Sequence, residues 1–407
     1  MSMFDVAIVG AGAAGIAAAR RLEQAGRRVL VLEARHRVGG RATVDTSLGV
    51  PADLGAAWLH FAESNAWTDL ADRLGFTVLR RKPGWGPSAH IGNRAPSEPE
   101  QAALIAGYDR YHRLIEEAAE AGHDVAVADV LPDDEYRPRF DAVMTWAVGV
   151  ESSQASTVDF CRYGDSHNDW AVREGLGAVV AAAADGLPLS LNTVVTAIDW
   201  SGASVRLETS QGDVEAARVI VTLPPSVLAR GVIRFTPALP PRYEEAFNNL
   251  QLGVVNKVFF RIERGRFSNG LPRHFLGSST TSRTASWLAN VADQPLLLAF
   301  LGGELSRELE QRGELIAFAR DELARLFGAE VLHELGPALA TAWGQDPYSL
   351  GSYSAARPGC ADSREVLATP VSPQLQFAGE AASIHHYGTL HGAWSSGTRA
   401  AERTTAT

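Results

Sequence analysis

The residues most able to do chemistry stand at the start of the chain. Gly10-Ala11-Gly12-Ala13-Ala14-Gly15 follows an apolar run at 4–9 and opens an alanine-rich stretch at 13–25. A strand, a tight glycine turn and a helix at this spacing suit a pyrophosphate. The first glycine permits the turn, the second lets backbone approach the phosphates, and the third lets helix and strand pack closely. The helix start then presents unpaired N–H groups and a partial positive charge. Glu33 ends a second apolar run at 29–32, at the offset where an acid accepts hydrogen bonds from an adenosine ribose. It would repel a 2′-phosphate, which disfavours NADP. A glycine-rich turn with no ligand is the bland alternative, and the flanking strand, helix and acid argue against it. The loop alone does not separate FAD from NAD.

Further candidates lie beyond this loop. Glu33-Ala34-Arg35 leads into Val38-Gly39-Gly40-Arg41-Ala42-Thr43, where two glycines allow close backbone approach and Arg41 offers a planar fork for phosphate. A surface turn with a solvated arginine would read the same way. Lys257 lies in Val255-Asn256-Lys257-Val258-Phe259-Phe260. Alternation places it on one face with Val255 and Phe259, so its stem is a candidate for burial. A lysine guarding a sheet edge is the competing explanation. Tyr353 offers an aromatic face to an amine, or a core tyrosine in a hairpin. Glu380 follows a short apolar strand, where it either faces a ligand or complements a helix dipole.

The run from Gly10 to Arg41 resembles the flavin amine oxidase family, which includes monoamine oxidases, polyamine oxidases and histone lysine demethylases. The likeness continues in Asp53-Leu54-Gly55-Ala56-Ala57-Trp58-Leu59-His60, Val219-Ile220-Val221-Thr222-Leu223-Pro224-Pro225 and Trp343-Gly344-Gln345-Asp346-Pro347. It goes on through Gly351-Ser352-Tyr353-Ser354, Phe377-Ala378-Gly379-Glu380 and Gly388-Thr389-Leu390-His391-Gly392-Ala393, and closes at Ser396-Gly397. Residues 82–168 match much less and are expected to carry substrate specificity.

The resemblance implies a noncovalent FAD. Gly10, Gly12, Gly15, Glu33, Arg35, Gly40, Arg41, Ala57, Trp58, Val195, Trp343, Gly379, Glu380, Thr389 and Leu390 would hold it. Glu33 would meet the ribose, Arg41 the pyrophosphate, Val195 the adenine through its backbone, and Glu380 the ribityl and pyrophosphate region. Thr389 and Leu390 would lie beside the isoalloxazine. Lys257 would hold a water near the flavin, and Tyr353 would form one aromatic wall. Ser352 occupies the place where monoamine oxidases carry a flavin-bonding cysteine, and serine cannot form that thioether. Thr389 replaces the opposite aromatic wall, which weakens any transfer of monoamine-oxidase substrate preference. His60 matches a histidine of animal polyamine oxidases, and meeting a substrate amine or satisfying the core are equal readings of it. His385 and His386 are adjacent and point apart, which is no metal pair. The implied reaction oxidises an amine C–N bond to an imine that hydrolyses to a carbonyl compound, with oxygen reduced to hydrogen peroxide. The C–H step needs no side-chain base. A flavoenzyme of the same fold that oxidises or desaturates a non-amine intermediate is the runner-up, and a noncatalytic flavin-binding protein is a third reading.

These residues need a frame. At 407 residues the chain is long for one core. The expected class is α/β, a Rossmann-like FAD-binding domain (1–80, 170–235, 370–407) interleaved with a mixed α+β substrate domain (81–169, 236–369). A helix is expected over 101–121, with Leu104, Tyr108, Tyr111, Ile115 and Ala118 along one face. Strands are expected at 193–198, 205–209, 218–222 and 254–262, and a helix over 305–327 broken near Gly313. Pro, Gly and Ser thicken over 82–99, which reads as a long loop or excursion. The formal charge of −10 argues against a nucleic-acid partner. Cys161 and Cys360 form no metal or disulfide pattern. No run is long enough to span a bilayer, and removing a signal peptide would remove the first strand, so the cytoplasm is the simplest location. A small-molecule amine and oxygen are the expected partners, and a homodimer is an admissible assembly.

Overall fold

The computed structural model describes residues 3–82, 89–271 and 273–405. The larger sheet grows from the first strand, Phe4–Val9. Val6 and Ile8 face one core with the helix Ala13–Gln24, while Ala7 and Val9 face a second core with Val219 and Val221. Both faces are buried, so the strand reads as a continuous apolar run rather than an alternating one. The order across this sheet is Arg234–Thr236, Val195–Asp199, Val205–Thr209, Val214–Val221, Phe4–Val9, Val29–Leu32, Leu189–Ser190. The first strand pairs in parallel with Val29–Leu32 and with Val214–Val221. The strand Val214–Val221 divides its length, pairing antiparallel with Val205–Thr209 through 214–216 and parallel with Leu375–Phe377 through 219–221. The chain's last strand thereby joins the sheet one strand away from its first, across Val214–Val221, and the mixed α/β class with a parallel core is the one the sequence implies.

A second sheet is antiparallel, in the order Arg273–Leu276, Ser286–Ala289, Leu296–Gly302, Val255–Ile262, Leu335–Ala340. Its strand Val255–Ile262 starts one residue later than expected and lies inside the sheet, not at an edge. Val258, Phe260 and Ile262 pack in a core with Leu305, Leu309 and Leu323, from the helices Gly303–Arg312 and Leu315–Phe327. Gly313 separates those helices at φ +69°, the left-handed C-terminal stop that glycine tolerates best. Phe259, on the other face, packs with Leu48, Leu288 and Leu298.

The expected helix over 101–121 runs Glu98–Glu120 and begins with a capping box between Ser97 and Glu100. Its buried positions include Leu104, Tyr111 and Ile115. The loop reading over 82–99 falls partly outside the described residues, at 83–88. Among the described residues no helix is long and apolar enough to cross a membrane.

The C-terminal helix Leu390–Thr405 lies on the glycine-loop helix at a close approach. A Cβ on Gly397 would stand 2.0 Å from the Ala14 carbonyl oxygen. Gly392 is likewise spent on protein packing, against the His386 carbonyl at 1.9 Å. In an exposed helix Gly→Ala stabilises by about 1 kcal/mol. Gly397→Ala is expected instead to destabilise the fold by about 1–3 kcal/mol through overpacking. Chemical unfolding of the two proteins checks the sign, and a stabilised variant would show that the helices have room to separate.

Candidate active site

One cavity of about 1420 Å³ runs from the glycine loop to the helix Glu98–Glu120. Its first end is built largely from backbone. Gly10 sits at φ +103°, and a Cβ on Gly15 would lie 1.9 Å from the Gly10 carbonyl oxygen, so the turn and the helix need glycine at both places. At Gly12 a Cβ would meet nothing within 4 Å; that side is open to the cavity, which Gly10 and Gly12 line while Gly15 does not. Gly12 is the N-cap of the helix and no side chain caps it, so its first N–H groups are available to an anion. Glu33 is buried, with Oε2 accepting from Ala11 N (2.8 Å) and Oε1 from Arg35 N (2.9 Å). A carboxylate has about four acceptor positions, so it retains capacity for ribose hydroxyls. Val195 begins its strand on the same wall, and Gly40 approaches the glycine loop.

Arg35 lines this end of the cavity and is tied to a second loop. Its Nη2 bonds Asp346 Oδ1 (2.6 Å) and Ser349 Oγ (2.9 Å), with the guanidinium over the Tyr348 ring. It therefore pins the 346–349 loop, whose residues 347–349 line this end of the cavity.

The middle of the cavity is crossed by buried charge. Arg41 Nη1 bonds Glu380 Oε1 (3.0 Å) and donates to the Ser352 carbonyl. Glu380 Oε2 accepts from Ser354 Oγ (2.7 Å) and Gly388 N (2.8 Å). Ser354 Oγ in turn accepts from Arg364 Nη1 (2.8 Å), and Arg364 Nη2 pairs with Asp159 Oδ2 (2.8 Å). Burial pushes the Glu380 carboxyl up, but Arg41, Ser354, Arg364 and the Gly388 N–H together hold it below its ordinary value. Asp159 and Arg364 carry no motif of their own, and only the three-dimensional arrangement shows their part. Gly379, at φ +148°, donates its N–H to Ser396 Oγ.

Lys257 projects from its central strand into the cavity and is 5% exposed. Nζ donates to the carbonyls of Asp53 (2.8 Å) and Gly55 (2.7 Å), leaving one of three donors for a water or ligand. Burial lowers its pKa to about 8, against the opposing charge of Asp53. Burial raises Asp53 to about 6, tempered by the Gly177 N–H, Lys257 and the Leu176 N–H. The edge-lysine explanation fails, because both neighbouring strands are present.

Ala57, Trp58, Trp343, Tyr353, Thr389 and Leu390 line the same cavity as this lysine. Trp343 Nε1 donates to the Leu54 carbonyl (3.1 Å), and Tyr353 Oη donates to the Trp146 carbonyl. Burial pushes the Tyr353 phenol above its ordinary value. Thr389 Oγ1 donates to the His386 carbonyl (2.6 Å) and accepts from Gly392 N (3.0 Å). Its hydroxyl thus caps the C-terminal helix, and no ring faces Tyr353 from that position. Ser352 Oγ accepts from Val255 N (3.0 Å) and donates to Gly253 O (3.0 Å), a wholly structural use. His60 pairs through Nδ1 with Asp169 Oδ1 at 2.7 Å.

The far end is lined by Ile105, Tyr108, Asp109, His112 and Glu116 from the helix Glu98–Glu120, together with Val143 and Phe160, while Trp146 and Phe300 line the cavity beside Tyr353 and Lys257. The stripe expected from periodicity is the core one; the cavity stripe is displaced from it by one position and shares Tyr108. Spacings of three and four through 105, 109, 112 and 116 carried the signal.

The cavity fits an extended dinucleotide at one end and an apolar substrate region at the other. The family described as "Flavin containing amine oxidoreductase" matches residues 13–103 and 107–405. Polyamine oxidase 4 of Oryza sativa subsp. japonica is 30% identical over 98% of this chain and 88% of its own length. Lysine-specific histone demethylase 1 homolog 3 of Arabidopsis thaliana is 29% identical over 98% of this chain but 30% of its own length. Among solved structures, cyclohexylamine oxidase from Brevibacterium oxydans superposes with a TM-score of 0.84 at 22% identity, covering 100% of this chain and 99% of that one. A putrescine oxidase double mutant gives 0.81 at 23% identity with the same coverages.

The depressed pKa of Lys257 gives a stability test with a definite sign. Between about 8 and the ordinary 10.5 the folded chain binds fewer protons at this site than the unfolded chain. Stability therefore rises with pH in that window. The wild type should gain on Lys257→Met as pH rises through it, read as the difference in their urea midpoints. A difference that stays flat would show that Lys257 titrates normally.

Proposed function

The chain belongs to the flavin-containing amine oxidoreductases, and from that premise we propose that its substrate is an aliphatic amine carrying a second positive charge, as in di- and polyamines. The reaction is FAD-dependent oxidation of an amine. Bound FAD supplies the two-electron acceptor. Its noncovalent retention is supported by Ser352, whose hydroxyl is committed to Val255 and Gly253. Oxygen as the final acceptor, giving hydrogen peroxide, belongs to the same proposal.

The protein's own contribution is position and field. Gly12, Glu33 and the N-terminus of the helix Ala13–Gln24 suit the adenosine and pyrophosphate. Arg41 would meet the phosphates while neutralising Glu380. Lys257 keeps one N–H for a water on the cavity wall. Tyr353, Trp146 and Phe300 give the reacting end an apolar and aromatic lining. Such a lining disfavours the charged form of an amine held there, and only the neutral form has a free lone pair at nitrogen.

The observation that carries the substrate reading is the sign of charge beyond that lining. Asp109, Glu116 and Asp165 line the cavity there. Arg139 lines it too, and its single positive charge offsets one of these acids but leaves the balance negative. A remote ammonium group is thus favoured at the same time as a neutral reacting nitrogen. The polyamine and putrescine oxidases among the similar proteins support this reading. No observation favours a non-amine substrate.

Anaerobic titration of the yellow protein tests it. Diamines and polyamines are expected to bleach the flavin band at lower concentration than monoamines of equal chain length. Asp109→Asn and Glu116→Gln should each raise the half-saturating diamine concentration about 2- to 5-fold, the worth of an exposed ion pair, and leave monoamines unchanged. Equal saturation by mono- and diamines would remove the second charge from the proposal. A flavin reduced by no amine would remove the amine.

A further inference from the structure

A short antiparallel pairing sets one histidine opposite one carboxylate. Leu59 N donates to the Trp170 carbonyl (2.8 Å), Trp170 N to the Leu59 carbonyl (3.1 Å) and Ala62 N to the Asn168 carbonyl (3.0 Å). Asn65 Nδ2 holds the His60 carbonyl at 2.7 Å. This register leaves His60 Nδ1 2.7 Å from Asp169 Oδ1, both side chains lining the cavity. An ionised carboxylate only accepts, so Nδ1 carries the hydrogen and the lone pair sits on Nε2. Among the described residues no protein group engages Nε2.

The surrounding titratable groups do not compete for a proton. His391 is 8% exposed with both ring nitrogens unpartnered. Burial, then the charges of His386 and His60, drive its pKa down to about 3. Burial likewise lowers His386, whose ring lies 4.6 Å from that of His391. Tyr163 is raised by burial and by Asp165 and Asp169. His167 pairs with Asp165 and is solvent-exposed, and His385 is turned to the Arg162 carbonyl.

We propose that Asp169 is a positioning residue that fixes the tautomer of His60, so that His60 Nε2 accepts the proton an ammonium substrate must lose before oxidation. The inference rests on the amine-oxidation reading above. In the transfer the N–H bond of R–NH3+ breaks, its electron pair stays on the amine nitrogen, and the proton bonds to Nε2. The products are a neutral amine and an imidazolium held beside the Asp169 carboxylate. Net charge in the cavity does not change, so the productive pair forms without releasing a proton to solvent. No oxidant is consumed at this stage. Without the carboxylate Nδ1–H loses its acceptor and the tautomer is no longer fixed, and the amine must arrive already neutral.

The test is stopped-flow anaerobic reduction of the holoenzyme by an amine that reduces the wild type, from about pH 6 to about pH 10. Asp169→Asn should keep the bound-flavin spectrum and slow reduction at neutral pH by about 100-fold. The deficit should close as pH approaches the amine's own pKa. Asp169→Glu should restore the wild-type profile. A wild-type profile in Asp169→Asn, or an equal loss at every pH, overturns the proposal. Should Asp169→Asn lose its flavin, His60→Asn decides: the same recovery at high pH supports the dyad, and a wild-type profile refutes it. A wild type that no amine reduces sinks the functional reading first and this inference with it.

Discussion

The structure depends most on a line of buried charge, Arg41, Glu380, Ser354, Arg364 and Asp159. Arg364 is fully buried, Asp159 is 3% exposed and Glu380 6%. Charges so far from water are tolerated only when paired and hydrogen-bonded. Removing one partner from such a pair costs about 3–5 kcal/mol, because the other is left uncompensated. Arg41, Asp159 and the stretch that carries Ser354, Arg364 and Glu380 are far apart in sequence, so satisfying them fixes how those segments meet. Glu380 also receives the Gly388 N–H, which places the turn before Thr389. Arg364 spreads its guanidinium 3.6 Å from the Tyr387 ring centre. The wall on which Tyr353 and Thr389 stand is therefore held from behind by electrostatics rather than by apolar packing alone.

Lys257 and Asp53 show the same economy at closer range. Asp53 spends its carboxylate on the Gly177 and Leu176 N–H groups and its carbonyl on Lys257. Burial moves the two side chains toward their neutral forms from opposite directions. The lysine is consequently a hydrogen-bond donor of weakened charge, aimed from a strand that both neighbours hold in place. A solvent-exposed edge lysine could supply neither the fixed direction nor the lowered basicity.

The parts legible in the sequence are those whose chemistry is local. Gly10, Gly12 and Gly15 act within one turn, and Glu33 ends the adjacent strand, so spacing alone indicates a dinucleotide end. Lys257 shares its face with Phe259 by simple alternation, and the cavity side of the strand follows from it. What sequence could not supply were partners drawn from unrelated segments. Arg35 is named for the cofactor only by resemblance, and its bonds to Asp346 and Ser349 become visible only in the fold. Asp159, Asp169 and Arg364 are ordinary charged residues until burial and distance single them out. The helix Glu98–Glu120 offers two stripes one position apart, and choosing between core and cavity requires knowing what lies opposite.

That division has a physical cause. A dinucleotide is recognised by backbone N–H groups, helix ends and close approaches, which demand particular residues at particular spacings. An amine substrate is recognised by the shape and charge of side chains that different helices contribute, and many combinations give the same field. The acids Asp109 and Glu116, the ring of Phe160 and the His60–Asp169 pair come from three separate stretches that meet only at the cavity. The cofactor end therefore leaves a motif, whereas the substrate end leaves a pattern that becomes readable only once the chain has folded around it.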